Sequence, residues 1–130
     1  MKPTPVRVFG LMLAAMGLYL ALFPQITADL LGKPADTATR MINLRASWGG
    51  TLLGLGAFVA WLPAPRPWGR AVVGLVMWAM AGIGVARLIG FVADGDPDMR
   101  QAIWITAEVA IVIACAVGLR VMARRRRATA

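Results

Sequence analysis

Three charged side chains, Arg45, Arg87 and Glu108, lie inside otherwise apolar stretches and are the first candidates for chemistry. A charge near the middle of a spanning helix costs about 2.5 to 3.5 kcal/mol on insertion scales, so such residues usually face a partner, a cavity or a binding site. Glu108 is the only glutamate in the chain. The three residues predict either an Arg–Glu–Arg bridge that locks helices together, or a pocket in which two cations outnumber one anion.

The pocket hypothesis favours an anionic or amphiphilic ligand, since arginine can hold a carboxylate or phosphate through two hydrogen bonds. The polar and aromatic residues that we expect to join the cluster are Asn43, Ser47, Asp94 and Trp104. The alternative is an enzyme that acts on a lipid or sterol-like substrate with Glu108 as general acid or base. We expect no second acid within the bundle, and the chain has no histidine, so Glu108 would lack a second titratable group for general acid–base catalysis.

The composition indicates that these residues are carried by membrane-spanning helices. Of the 130 residues, 59% are hydrophobic and only 15% are charged, whereas a soluble domain is about half apolar and roughly a quarter charged. A helix needs about 20 apolar residues to cross the hydrocarbon layer. We therefore predict an all-α fold, a four-helix transmembrane bundle forming one domain over residues 1–130. The expected spans are about 5–23, 41–62, 69–93 and 97–123.

The connections between these spans give further expectations. Ile26 to Leu31 are predicted to form one or two helical turns on the membrane surface. Asp96 is expected to cap the fourth span and Pro97 to be its first helical residue. The two termini and the middle connection carry most of the lysines and arginines, which predicts that both termini are cytoplasmic. All three buried charges then fall in the extracytoplasmic half of the bundle.

Small residues at four-residue spacing predict where the helices pack. Helices in lipid associate through small residues that let their backbones approach closely. The second span carries Ala46, Gly50 and Gly54, with Gly49 beside them, and the third carries Gly82, Ala86 and Gly90. The two stripes are expected to be structural, although the missing side chains would also leave room for a ligand.

Several classes of function are disfavoured by the sequence. The net charge is +8, but the run Arg124 to Arg127 directly follows an apolar stretch, where it would anchor a helix end at an anionic leaflet. We therefore expect no nucleic-acid partner. Histidine is absent and Cys115 is the only cysteine, so we expect no zinc site, no intramolecular disulfide and no cofactor.

The order of these motifs resembles a known family over essentially the whole chain. The segment from Asn43 to Gly50 with Gly54, then Arg87 leading to Asp94-Gly-Asp-Pro97, then Glu108, is similar to the bacterial membrane proteins grouped as domain of unknown function 4345. The resemblance implies a four-helix membrane bundle, distantly similar to DoxX-like proteins, and we expect the protein to lie in the bacterial inner membrane as a multi-pass protein. The resemblance implies no activity. It directs attention to the following residues: Arg45, Gly49, Gly50, Arg87, Asp94 and Glu108.

The favoured hypothesis is a small non-catalytic membrane protein. It would bind a lipid-like or anionic amphiphilic ligand in its charged pocket, or act as an accessory subunit. The expected partners are membrane lipids, together with a larger membrane complex or further copies of the chain.

Overall fold

The computed structural model describes residues 5–61, 67–95 and 98–128, and within these ranges the chain is helical with no strand. Six α-helices and one π-helical segment follow in order. They are α1 (Pro5–Leu22), α2 (Pro24–Leu31), α3 (Ala38–Leu44), the π-helical segment (Arg45–Gly50), α4 (Thr51–Trp61), α5 (Trp68–Ala93) and α6 (Met99–Ala128). The all-α prediction is confirmed.

Helix α1 ends before Pro24, which cannot continue a helix because it lacks an amide hydrogen. Pro24 then serves as the first residue of α2, where its fixed φ is compatible with a helix start. Gly32 ends α2 with a φ of 60°, a left-handed conformation that glycine adopts without strain. The helical turns predicted from Ile26 to Leu31 are therefore present, and α2 begins two residues earlier.

Helices α3 and α4 join through the π-helical segment into one unbroken helical rod, the α3–α4 helix. Thr37 caps its start, because the Thr37 side chain accepts a hydrogen bond from the Arg40 amide at 3.3 Å. The rod begins at Ala38, before the expected start of the second span. Leu62, the expected end, lies outside the described residues. The wider π-helical turn was not predicted, and such turns occur frequently at functional sites.

The α3–α4 helix lies at the centre of the fold, with α1 and α5 packed against it. Helix α6 packs along α5. It also reaches the α3–α4 helix through polar side chains, such as Gln101 donating to Asn43 at 3.0 Å. Helix α1 ends near the start of α3, and α5 ends near the start of α6. We call the end of the bundle where these four helix termini lie the Asp94 end. The opposite end, where Trp61, Trp68 and the arginine-rich tail lie, we call the tail end.

Glycine allows the central helices to approach closely. A Cβ atom added to Gly82 would lie 2.6 Å from the Cα of Gly54, and one added to Gly50 would lie 2.6 Å from the Cα of Ile83. Real Cβ atoms do not approach other atoms so closely, so these glycines set the α3–α4/α5 distance. The other packing residues that the sequence singles out are buried too. They are Ala46, Gly49, Ala86 and Gly90.

Three of the described helices, α1, α5 and α6, are long and apolar enough to cross a membrane. Helix α5 agrees to within one residue with the third expected span, and α6 extends beyond the fourth to Ala128. Asp96 and Pro97, the expected cap and first residue of that span, lie outside the described residues. Only Gln101 and Glu108 of α6 are buried, so this helix shows most of its apolar surface to its surroundings.

Candidate functional site

Arg87 is the centre of a buried polar network between α5 and α6. Its Nη2 donates to Glu108 Oε1 at 2.8 Å, and its Nε lies 3.0 Å and 3.2 Å from the two carboxylate oxygens. Arg87 is 6% exposed and Glu108 is 5% exposed. Each residue therefore compensates the charge of the other inside apolar helices, where an unpaired charge would be costly.

Two amides complete this network and connect it to the α3–α4 helix. The Nη1 of Arg87 donates to Gln101 Oε1 and, at 3.4 Å, to Asn43 Oδ1. The Gln101 side-chain nitrogen donates to the same Asn43 oxygen at 3.0 Å. Gln101 is 1% exposed, and it precedes Glu108 by two helical turns, so both lie on the same face of α6. The network thus joins three helices near the Asp94 end.

Arg45 belongs to a second network, on the other side of the α3–α4 helix. Its Nε and Nη2 donate to the two Asp94 carboxylate oxygens at 2.8 Å and 2.9 Å. Its Nη1 donates to the backbone carbonyls of Ala21 at 2.5 Å and Leu22 at 3.0 Å. These carbonyls lack partners within α1 because they belong to its last turn. Arg45 therefore ties the ends of α1 and α5 to the π-helical segment.

This arrangement corrects the expected Arg–Glu–Arg bridge. Among the described residues, Arg45 donates to Asp94 and to the end of α1, not to Glu108, and each arginine has its own acid. The side chain of Asp94 is only 11% exposed, so the residue that the sequence analysis expected at the cluster is also a second acid within the bundle, which that analysis did not expect. The expected surplus of positive charge in this cluster is wrong, because Asp94 neutralises Arg45 as Glu108 neutralises Arg87.

An open recess of about 520 Å³ lies between the α3–α4 helix, α5 and α6, and we call it the α6 recess. Its polar lining residues are Asn43, Ser47, Thr51, Arg87 and Glu108. Its apolar lining residues are Met80, Ile83, Trp104, Ala107 and Ile111. The volume falls within the range of about 300 to 1,000 Å³ that is usual for small-molecule sites, which are mostly apolar with a few polar groups.

A second recess, of about 470 Å³, lies between the segment after α2 and the α3–α4 helix, and we call it the Lys33 recess. The residues that line it are Leu31, Lys33, Pro34, Arg40, Asn43, Leu44, Ser47 and Trp48. Asn43 and Ser47 line both recesses. The two recesses therefore adjoin, and together they follow the α3–α4 helix away from the Asp94 end.

The structure brings most of the sequence-predicted polar residues to these recesses. Arg87, Glu108, Asn43, Ser47 and Trp104 line the α6 recess, whereas Arg45 and Asp94 line neither recess. Sequence reasoning missed Thr51, although it follows Asn43 and Ser47 at successive four-residue intervals. It also left Gln101, Lys33 and Arg40 out of the cluster.

A comparison with known protein families finds a match over most of the chain. The family model described as a domain of unknown function (DUF4345) matches residues 5–119. This range contains both arginine networks and all of the residues that line the two recesses. No curated protein and no solved structure matches the chain. The resemblance expected from the sequence is confirmed at the level of that family, and its distant similarity to DoxX-like proteins stays a prediction.

Proposed function

The chain belongs to the DUF4345 family, and we propose that it is a four-span membrane protein that binds a lipid-like amphiphile in the α6 recess. The description of the family names no activity, so the proposal rests on the geometry. The fourth span is the α3–α4 helix. Between Met41 and Trp61 its only charge is Arg45, and that charge is neutralised by Asp94 at 2.8 Å. Its backbone remains helical through the π-helical segment, as a lipid-surrounded segment requires.

The distribution of basic residues supports an orientation with both termini in the cytoplasm. Arg120 and Arg124 to Arg127 lie at the tail end of α6, and cytoplasmic flanks of membrane helices are enriched in lysine and arginine. The Asp94 end then faces the opposite side. By family resemblance the membrane would be the inner membrane of a bacterium.

The observation that carries the binding proposal is the open groove along a buried ion pair. Arg87 and Glu108 lie in its wall, yet α6 leaves the groove accessible, since Trp104 is 58% exposed. The ion pair itself is covered, but Asn43 and Ser47 on the α3–α4 helix remain exposed in the groove. In lipid, an open recess with polar groups on one wall and apolar side chains on the other fits an amphiphile better than it fits a plain acyl chain.

Polar residues at helical spacing on the α3–α4 helix form one wall of the α6 recess. Asn43, Ser47 and Thr51 follow one another at four-residue intervals and all line the α6 recess. The Oδ1 of Asn43 already accepts hydrogen bonds from Arg87 and Gln101, but hydroxyl groups that face lipid, as at Ser47 and Thr51, are unfavourable unless they find a hydrogen-bonding partner. A polar group of a bound amphiphile would supply that partner, whereas Met80, Ile83 and Ile111 would contact its chain.

The hydrogen bonds of Glu108 favour binding over catalysis. Both carboxylate oxygens already accept hydrogen bonds from Arg87. A general base must reach the proton that it abstracts, and Glu108 faces its arginine. The enzyme alternative therefore requires Arg87 to release the carboxylate first, whereas binding needs no rearrangement of the pair.

The test uses two tryptophan substitutions on α6. Ala107→Trp fills the α6 recess, which Ala107 lines, whereas Ala110→Trp places the same side chain on an exposed position of α6 that does not line the recess. The protein is titrated with dodecylphosphocholine and with dodecyl phosphate, and complexes are counted by native mass spectrometry. We expect one saturable site for both probes, weakened about tenfold or more by Ala107→Trp and unchanged by Ala110→Trp. Equal effects of the two variants, or no saturable complex, would overturn the proposal.

A further inference from the structure

We infer that the Lys33 recess is a headgroup site, and that the ligand of the α6 recess is an amphiphile whose phosphate or carboxylate headgroup binds at Lys33 and Arg40. This inference rests on the proposed function, because it identifies where the headgroup of the same ligand binds. The headgroup would lie toward the Asp94 end of the bundle, and the chain would follow the α3–α4 helix into the α6 recess. The source of the ligand is the surrounding membrane.

The first argument is that the buried arginines have little capacity left for a ligand. Every guanidinium nitrogen of Arg87 already donates, to Glu108, Gln101 or Asn43. Every guanidinium nitrogen of Arg45 also donates, to Asp94 or to the end of α1. An anion that bound to either arginine would have to break an ion pair that is itself neutral. The positive charge that attracts an anion must therefore come from elsewhere.

The second argument is that the Lys33 recess supplies this charge. Lys33 forms no ion pair with an acid in the described part of the chain. Arg40 pairs with Asp36 at 2.6 Å through Nη1, with both side chains more than half exposed. Its Nε and Nη2 are not used in that pair, and a guanidinium group has five hydrogen-bond donors. Of these two cations only Arg40 is paired with a carboxylate among the described residues, so Lys33 and part of the Arg40 guanidinium remain available to an anion.

The third argument is the continuity between the two recesses. Asn43 and Ser47, which line both, are exposed. From Arg40 to Thr51 the helix rises by about 16 Å at about 1.5 Å per residue. A single molecule with a charged head and an extended chain can occupy such a path. Trp48 lines the Lys33 recess and Trp104 lines the α6 recess, so each recess offers an aromatic contact to the ligand.

The test compares three probes that separate the headgroup from the chain. Dodecyl phosphate has the anionic headgroup and the chain, dodecylphosphocholine has the same chain with no net charge, and inorganic phosphate has no chain. The protein is reconstituted in nanodiscs of zwitterionic lipid and the dissociation constants are measured at two salt concentrations. We expect dodecyl phosphate to bind about tenfold more tightly than dodecylphosphocholine, the preference to shrink at high salt, and inorganic phosphate not to bind saturably.

The variants are Lys33→Ala and a matched control, Arg100→Ala. Arg100 is an exposed cation at the same end of the bundle and lines neither recess. We expect Lys33→Ala to weaken dodecyl phosphate binding about three- to tenfold and to weaken binding of dodecylphosphocholine, whose phosphate is balanced by its own choline, by clearly less, whereas Arg100→Ala changes neither.

The possible failures can be told apart. If both alkyl probes bind equally to the parent protein, or if Arg100→Ala acts as strongly as Lys33→Ala, the headgroup site is wrong and the α6 recess proposal survives. If inorganic phosphate binds as tightly as dodecyl phosphate, the site takes a free anion and the lipid assignment is overturned. If neither alkyl probe binds saturably, both proposals fail.

Discussion

The guanidinium of Arg45 and the carboxylate of Asp94 form a two-point ion pair, at 2.8 Å and 2.9 Å, between residues 49 positions apart in the chain. Two parallel hydrogen bonds of this kind fix the orientation of both groups as well as their distance. Because Arg45 also donates to two carbonyls at the end of α1, a single side chain holds α1, the π-helical segment and the end of α5 together.

The first prediction concerns this pair. Asp94→Ala leaves the buried guanidinium of Arg45 without its carboxylate, and we expect a loss of unfolding free energy on the order of 3 kcal/mol. Arg45→Met combined with Asp94→Ala should lose less than the sum of the two single variants. The measurement is a double-mutant cycle of denaturant unfolding in detergent micelles. Additive losses would mean that the two residues do not stabilise each other.

The second prediction concerns the approach of α5 to the α3–α4 helix. Gly82→Ala places a methyl group against Gly54, with the added Cβ 2.6 Å from the Gly54 Cα. The helices must separate or distort, and we expect a destabilisation of about 1 to 3 kcal/mol, as for other overpacked interiors. Gly118→Ala is the matched control, because nothing lies within 4 Å of a Cβ added there. The two variants are compared by thermal unfolding in the same detergent, and an equally stable Gly82→Ala variant would contradict the predicted backbone contact.

The third prediction concerns the orientation in the membrane. In a Cys115→Ala background, which removes the only cysteine of the chain, a cysteine is introduced by Lys33→Cys or by Arg124→Cys. The host is a bacterium whose outer membrane lets the reagent pass. A maleimide that cannot cross the inner membrane, added to intact cells, should label the Lys33→Cys variant and not the Arg124→Cys variant. After lysis both should react. Labelling of Arg124→Cys in intact cells would reverse the assigned orientation.

Much of the fold follows from the apolar runs of the sequence. Helices α1 and α5 begin and end within one residue of the expected spans, because Pro24 ends the first run and Pro67 and Asp94 bound the third. Periodicity also identified Gly50, Gly54 and Gly82, which the structure places at close backbone contacts between the α3–α4 helix and α5. These features depend on local composition, which is why they can be read without knowing how the helices are arranged.

The pairing of the charges could not be read in this way. The sequence analysis placed Asp94 in the connection after the third span. In the structure Asp94 directly follows the last turn of α5, and its carboxylate binds Arg45 from a distant part of the chain. Counting charges by helix therefore assigned both arginines to Glu108. The π-helical segment, which begins at Arg45, has no sequence signature that composition reveals. The angular placement of side chains on packed helices depends on tertiary contacts, which periodicity alone does not specify.

The exposed face of α6 has a consequence for how any occupant of its recess would be exchanged. With only Gln101 and Glu108 of this helix buried, the groove has one side with no protein wall. In a bilayer that side is filled by neighbouring acyl chains, so a molecule would enter and leave by sideways diffusion within its own leaflet. Occupancy would then follow the mole fraction of the ligand among the surrounding lipids, and its concentration in water would matter only through partitioning.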